Sequence, residues 1–320
     1  MGKNNREKNE KNIVLTFDKI KIVTKLEYIK IEDEYAFEKI VRGDILSSLK
    51  YHLPQPSLYI KIDYVDNELV IEFSGKILFH RYKELISVNT IRECFENINS
   101  LGVCTLNIDA ILLDAEVVKC DVTKDVRCNN VTEMSSFIRS NISNYNQYLV
   151  KKLRNGNLTI EKNVTSRQYQ KRLTMYDKSK EMKRQENRRY MERYDIPITD
   201  FDNLCRFEIN LNSIAQIKSA LDVTNTKLMT VLQATHNPIA DFLDDVITDG
   251  EVIPLTDKQS YLTELVLRDC NYDIAMVEAK MRQLHSKGTN ISKVMKPYRD
   301  ALTNSSTPRF TKRDLLQIVQ

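Results

Sequence analysis

The chain is 320 residues long, with a net charge of +4, 42% hydrophobic and 29% charged residues. That length holds two domains or one elaborated one, and the apolar–charged balance is that of a folded globular chain, not a disordered one. No apolar run reaches the roughly 20 residues of a membrane helix, and the opening MGKNNREKNEKN lacks the apolar stretch of an export signal. Residues 1–12 are therefore expected to form a flexible polar tail, and the expected setting is cytoplasmic. Six scattered cysteines without a C-x-x-C pair fit reduced thiols rather than a disulfide or zinc framework.

Residues 13–32 alternate imperfectly between apolar and polar, as strands do. Tyr35 to Tyr51 reads as a helix, ended by the Pro54-Gln55-Pro56 turn. The run SLYIKIDYVDNELVIEFSGKILF predicts three strands in a meander, with breaks at Asp66-Asn67 and Gly75. Helical spacing from Asn89 to Leu101 puts Ile91, Phe95 and Ile98 on one face, and Gly102 stops it. Ala115–Asp125 reads as a strand and Thr132–Arg154 as a helix. Strands around Leu158–Lys162 and Arg172–Asp177 precede a basic helix over 178–194, and Leu204–Leu211 is again a strand. Beyond about residue 213 the pattern is almost wholly helical. The fold class predicted is α+β: a largely antiparallel sheet flanked by helices over 13–220, then a smaller, mostly helical domain over 221–320.

Charge is unevenly distributed along the chain. Lys151–Tyr194 holds 14 Lys/Arg against 5 Asp/Glu, Asp195–Met281 holds 6 against 15, and Arg282–Gln320 holds 8 against 2. Two basic blocks around an acidic one suggest localised contact with a polyanion. Lys180, Lys183, Arg184, Arg188 and Arg189 would track phosphates there. The helical C-terminal part, with its basic end, reads equally as a helix-turn-helix-like DNA reader or as a brace with a charged surface.

Strand alternation shows which side chains share a face. In VVKCDVTKD, Val118, Cys120 and Val122 point one way, and Lys119, Asp121 and Thr123 the other. In RLTMYDK, Leu173 and Met175 are apolar-facing, opposite Arg172, Thr174, Tyr176 and Lys178. In LCRFEINL, Cys205, Phe207, Ile209 and Leu211 face the core, opposite Arg206, Glu208 and Asn210. If these strands share a sheet, one face gathers Asp121, Tyr176 and Glu208. Asp121 and Glu208 could bind Mg²⁺ or Mn²⁺ and polarise a phosphate, which Tyr176 could attack to leave a phosphotyrosine ester. Lys178, Arg172 and Arg206 could stabilise the developing charge, and Glu181 could add a ligand or a proton acceptor. An ordinary solvent face carries the same residue types, and alternation alone does not separate the two.

These segments carry a family resemblance. GKILFHRYKEL, VVKCDVTKD, TSRQYQKRLTMYDKSKEM and LCRFEINLNS, in this order and spacing, resemble the gene II/X family of phage and plasmid replication proteins. Thr165-Ser166-Arg167, Tyr176, Lys178, Glu181 and Arg206-Phe207-Glu208 each meet the family's pattern, over roughly residues 60–225. Lys119-Cys120-Asp121 departs from its Arg-Ile-Asp strand, Phe79-His80-Arg81 matches only loosely, and no His-x-His pair exists. The resemblance implies a metal-dependent nick at a replication origin, in single-stranded or supercoiled DNA, with Tyr176 as nucleophile and religation afterwards. Host helicase and polymerase would be the partners. Tyr190 and Tyr194, on one helical face, are a rival tyrosine pair or packing residues; Tyr169 is read as surface, His80 as structural, and Asp125 and Asp177 as turn or solvent residues. The competing readings are a non-catalytic origin-binding initiator or repressor, and a metal nuclease that uses water.

Overall fold

Period-two alternation organises most of the first part of the chain into strands. The computed structural model describes residues 14–128, 131–142, 147–152, 157–164, 171–248, 258–270, 273–286, 288–304 and 312–320. The polar tail, Thr165-Ser166-Arg167 and Tyr169 lie outside the described residues. The strands are β1 (Thr16–Lys25), β2 (Ile29–Ile31), β3 (Glu38–Arg42), β4 (Ile45–Leu53), β5 (Leu58–Asp63) and β6 (Glu68–Ser74). They continue with β7 (Cys104–Leu106), β8 (Glu116–Arg127), β9 (Tyr148–Lys152), β10 (Leu158–Lys162), β11 (Arg172–Asp177) and β12 (Leu204–Leu211). Ten of them form one antiparallel sheet in the order β3-β4-β5-β6-β1-β8-β12-β11-β10-β9, and β2 pairs with β7.

The helices are α1 (Ile91–Ser100), α2 (Ile108–Asp114), α3 (Val131–Ser140), α4 (Lys178–Met182), α5 (Gln185–Arg193) and α6 (Ile214–Leu221). Then come α7 (Leu228–Leu232), α8 (Pro238–Val246), α9 (Lys258–Asp269), α10 (Ile274–Leu284), α11 (Ile291–Asn304) and α12 (Lys312–Val319). The fold class is α+β, as the sequence indicates. Among the described residues no helix is long and apolar enough to cross a membrane. No disulfide joins the six cysteines.

One sheet face is apolar. Ile20, Ile71, Ile60, Val122, Phe207 and Leu173 are buried there, with the Phe95 ring of α1 meeting Phe73 edge-on at 5.6 Å and α6 packed on β8 and β12. Between β1 and β8 the alternation breaks twice. β1 and β8 pair as Phe17 with Val122 and then Lys19 with Asp121, and as Lys21 with Lys119 and then Ile22 with Val117. Asp18 and Val118 are therefore the extra residues of two bulges. Val117, not Val118, joins Cys120 in the core.

Several local expectations are corrected. Tyr35–Tyr51 is not a helix: β3 and β4 form a hairpin whose reversal needs the positive φ of Gly43 (60°), and β-branched Ile40, Val41 and Ile45 suit strands. Gly75 does not lead into a third meander strand. Gly75–Glu84 winds as a 3₁₀ segment broken at Phe79 (φ 53°), and His80 is exposed on it rather than on a strand face. The expected helix 132–154 stops at Ser140, where the Asn141 amide takes the Phe137 carbonyl, and its remainder supplies β9 to pair with β10. The basic helix 178–194 is two helices. Arg184 is extended (ψ 148°), and the Glu181 carbonyl accepts both the Arg184 N–H (3.1 Å) and Asn187 Nδ2 (2.8 Å).

By its contacts the chain divides into one unit of residues 1–131, 144–245 and 318–320 and another of 132–143 and 246–317. The first unit thus extends beyond residue 220, because α6 and α7 both pack on β8 and the Leu228 N–H donates to the Ala115 carbonyl (2.8 Å). The second unit is helical and holds a core of Leu267, Cys270, Val277, Met281, Met295 and Tyr298. Phe207 is fully buried on the apolar sheet face, so Phe207→Ala is expected to cost about 3–5 kcal/mol, read as a lower urea midpoint for the sheet unit.

Candidate active site

β8, β12 and β11 lie side by side, so their register sets the polar face row by row. Arg206 sits between Asp125 and Tyr176, Glu208 between Thr123 and Thr174, and Asn210 between Asp121 and Arg172. Tyr176 and Glu208 are diagonal neighbours, a spacing that long side chains bridge. The Tyr176 hydroxyl donates to Glu208 Oε1 at 2.7 Å. In the next row Asn210 donates to Asp121 Oδ1 (2.7 Å), and exposed Arg172 donates to Asn210 Oδ1 through Nη2 (2.7 Å) and Nε (2.9 Å). The structure therefore brings Asp121, Glu208 and Tyr176 onto one face, with Tyr176 and Glu208 in direct contact.

Arg206, expected as a DNA contact, is corrected to an internal residue. Its side chain is 0% exposed. It grips Asp125 through two parallel bonds, Nε–Oδ1 at 2.6 Å and Nη2–Oδ2 at 2.7 Å, and reaches Asp18 through Nη1 at 2.5 Å. Glu208 lies 4.0 Å from the same Nη1. Asp18 reaches this position because it is the bulged residue of β1: Phe17 and Ile20, three apart, both face the core. That spacing was the signal in the sequence for a carboxylate out of step with its strand. Asp125 was also legible, four residues from Asp121 on the same face of β8.

β11 passes directly into α4, because the Asp177 carboxylate accepts the Lys180 N–H (2.9 Å) and caps the helix. This puts Lys178 beneath the tyrosine, 1% exposed, with Nζ 5.7 Å from the centre of the Tyr176 ring. Lys178 donates to the Tyr82 hydroxyl (2.7 Å) and pairs with Glu181 Oε2 (2.5 Å). Glu181 also accepts from Asn187 Nδ2 (3.1 Å). Tyr82, which comes from the 3₁₀ segment and carried no sequence signal, links Lys178, Arg206 and Asp18.

Burial, opposed by Arg206 and reinforced by Glu208, raises the Tyr176 hydroxyl well above an ordinary phenol. Burial, followed by the negative charge of Asp18, pushes Glu208 up to about 7. Burial also raises Asp121. Against the same penalty, Arg206 and Lys178 hold Asp18 below its usual value, and Lys178 does so for Glu181. The face thus holds a neutral phenol that donates to a carboxylate titrating near neutrality, over a floor of fixed ion pairs.

Among the described residues no group of three His, Cys, Asp or Glu side chains is placed to hold a metal ion. Mg²⁺ is commonly held by one or two carboxylates, with water and phosphate oxygens completing the shell. Burial disfavours the charge on both Asp121 and Glu208, a cost that a bound cation would relieve.

Lys180, Lys183, Arg184, Arg188 and Arg189 are all exposed. Lys180 pairs with Asp177 at 3.1 Å; among the described residues the other four have no ion-pair partner. Tyr190 is 1% exposed, donates to the Lys76 carbonyl (2.5 Å) and packs with Tyr82, Met182 and Phe201. Tyr194 stacks on Phe79 with ring centres 4.6 Å apart. Both contacts are packing contacts.

No family model and no curated protein sequence matches the chain. Among solved structures, the Methanococcus jannaschii TBP aligns with 68% of this chain and 98% of its own length, at 11% identity and a TM-score of 0.21. A likeness at that score carries no argument about fold or function.

Two outcomes follow from the site. Arg206→Met leaves the partly buried carboxylates of Asp18 and Asp125 without the cation they share, and is expected to cost about 3–5 kcal/mol, whereas Asp18→Asn with Asp125→Asn in the same background should recover part of it in thermal melts. Glu208 has a folded value above its unfolded one, so its contribution is present below about 4.5 and lost as pH rises through about 7. Melts in EDTA should show wild type losing stability relative to Glu208→Gln across that window; parallel curves would contradict the burial cost assigned to this carboxylate.

Proposed function

We propose that the chain is a replication initiator that nicks and rejoins origin DNA, with Tyr176 forming the covalent link. The observation that carries this reading is the Tyr176–Glu208 hydrogen bond of 2.7 Å on a polar sheet face, at the strand end that leads into exposed basic residues. A nucleophile within hydrogen-bond reach of a proton acceptor is the arrangement that covalent catalysis requires. The Tyr176 oxygen attacks the scissile phosphorus as its proton passes to Glu208 Oε1. The bond to the 3′ oxygen breaks, that oxygen takes up a proton from solvent, and the 5′ phosphate stays on Tyr176 as an ester. Rejoining is the reverse: the 3′ hydroxyl loses its proton to solvent as its oxygen attacks the ester phosphorus, the bond to Tyr176 breaks, and Tyr176 recovers its proton from Glu208.

Arg206 and Lys178 supply fixed positive charge beneath the reacting phosphate, and their carboxylate partners keep them from moving. Asp121 and Glu208 would hold Mg²⁺ or Mn²⁺, which when bound supplies Lewis-acid polarisation of the phosphate. Arg172, Lys180, Lys183, Arg184, Arg188 and Arg189 contact the DNA backbone in this reading and set affinity rather than sequence preference.

Incubating the protein with supercoiled and single-stranded origin DNA and Mn²⁺ should give a covalent protein–DNA adduct on a denaturing gel. Tyr176→Phe should abolish it, and Glu208→Gln should slow its formation by about 10²–10⁴-fold with the fold intact. An adduct retained by Tyr176→Phe would overturn the nucleophile. Nicking without an adduct would favour hydrolysis by water, and binding without cleavage a non-catalytic initiator or repressor.

A further inference from the structure

The polar face that carries Tyr176 does not end at β8. The register continues it across β1, β6, β5 and β4. Lys19 lies opposite Asp121, joining the two halves. One row further on, Lys119 faces Lys21, Lys21 faces Glu72, Glu72 faces Tyr59, and Tyr59 faces His52. In the row beyond, Lys61 faces Lys50. These side chains are open to solvent: Lys19 and Lys21 are each 34% exposed and Lys61 31%, Lys50, Tyr59 and Lys119 are half-buried, and His52 is exposed. Lys19, His52, Tyr59 and Glu72 line a hollow of about 230 Å³ on this surface.

Carboxylates accompany the lysines. Glu72 pairs with Lys19 and lies 3.8 Å from Lys21, Asp63 pairs with Lys61, and Glu38 faces Lys50 across the β3–β4 pair. They do not separate the two directly opposed lysine pairs, Lys21–Lys119 and Lys50–Lys61. Like charges placed opposite one another in a sheet work against its pairing. A polyanion lying across both pairs removes that repulsion, and an aromatic ring between them offers a surface on which a base can stack.

We propose that this face is the track for single-stranded DNA flanking the scissile phosphate, with Lys21, Lys119, Lys50 and Lys61 on its phosphates and Tyr59 under a base. The inference rests on the nicking reading for its direction, since the track leads along β8 from Lys119 to the Tyr176 row at Asp125. The six steps from Lys119 to Asp125 span about 20 Å at the rise of a strand. A single strand fits where a duplex does not, because only unpaired bases present their faces to a flat, half-buried aromatic.

The test is binding without cleavage. Full-length protein carrying Tyr176→Phe is titrated with a fluorescent oligothymidine, and with a labelled duplex, by anisotropy over a range of salt. The double variants Lys21→Ala/Lys119→Ala and Lys50→Ala/Lys61→Ala should each weaken oligothymidine binding about tenfold and reduce the salt slope by about 1.4, or about 0.7 for each phosphate that no longer meets a lysine. Tyr59→Leu should weaken the single strand and leave the duplex unchanged. The melting temperature of Lys21→Ala/Lys119→Ala should not fall, since an opposed pair of like charges is removed and Glu72 keeps its pair with Lys19. Lys50→Ala/Lys61→Ala also removes the Lys61 partner of Asp63, so that variant is melted to confirm that it is folded at the temperature of the titration. Unchanged affinity and slope in both double variants would overturn the track, whatever the adduct experiment gives. Weakened binding in these variants, with no adduct from wild type, would instead remove the nicking reading and leave the track in place.

Discussion

A guanidinium cut off from water must have its charge and its donors met by groups that are themselves held in place, or burying it costs several kcal/mol. Arg206 is in that position at the centre of the polar face, and much of the arrangement around it answers to that need. Asp125 meets it in a fork of two parallel bonds. Asp18 meets it from β1, two strands away across β8, at the residue where β1 is bulged. Tyr82 closes the top of the cluster and passes the network on to Lys178 and Glu181. A sheet strand, a bulge, a 3₁₀ segment and a short helix are in this way tied to one charge.

The same cluster sets the chemistry of the residues beside it. Glu208 lies close enough to Arg206 to feel it, at 4.0 Å, but the guanidinium is already committed to Asp18 and Asp125. Burial and the charge of Asp18 therefore win over the cation, and Glu208 titrates near neutrality rather than in the carboxylate range. Asp18 and Glu181, with closer cations, go the other way. Neighbouring carboxylates pushed apart in this manner are suited to different roles. Under the proposed reaction the one poised near neutrality is the one that holds the tyrosine proton.

The basic surface is divided as well. Arg206 and Lys178 are sequestered and fixed, whereas Lys183, Arg184, Arg188 and Arg189 are exposed on and around the two helices that follow β11. Buried cations can stabilise charge at one point, and exposed ones can follow a flexible polyanion. The break between α4 and α5 serves this division. Asn187 binds the carbonyl and the carboxylate of Glu181, so the turn that spreads the basic residues also anchors the partner of Lys178.

Strand alternation was enough to place Asp121, Tyr176 and Glu208 on one side of three strands, because the period of a strand is a local property of the backbone; Asp125, expected as a turn or solvent residue, shares that side and holds Arg206 instead. It also identified the apolar sides of β11 and β12 without error. What it left open was contact: that Tyr176 donates to Glu208 depends on β11 and β12 being neighbours in a register with Tyr176 opposite Arg206, and pairing across the 26 residues between the two strands is not written in either segment. Residues 35–51 and 148–152 misled for a related reason, since a short apolar pattern fits helix and strand alike until a partner strand takes up its hydrogen bonds. The burial of Arg206 was equally invisible, because on its own strand it occupies the polar side, and only the 3₁₀ segment and α4 closing over it remove it from water. The sequence by itself determined which side chains share a face with Tyr176; tertiary structure decided which of them touch, which are buried and which carry charge, since those depend on distance and on access to solvent.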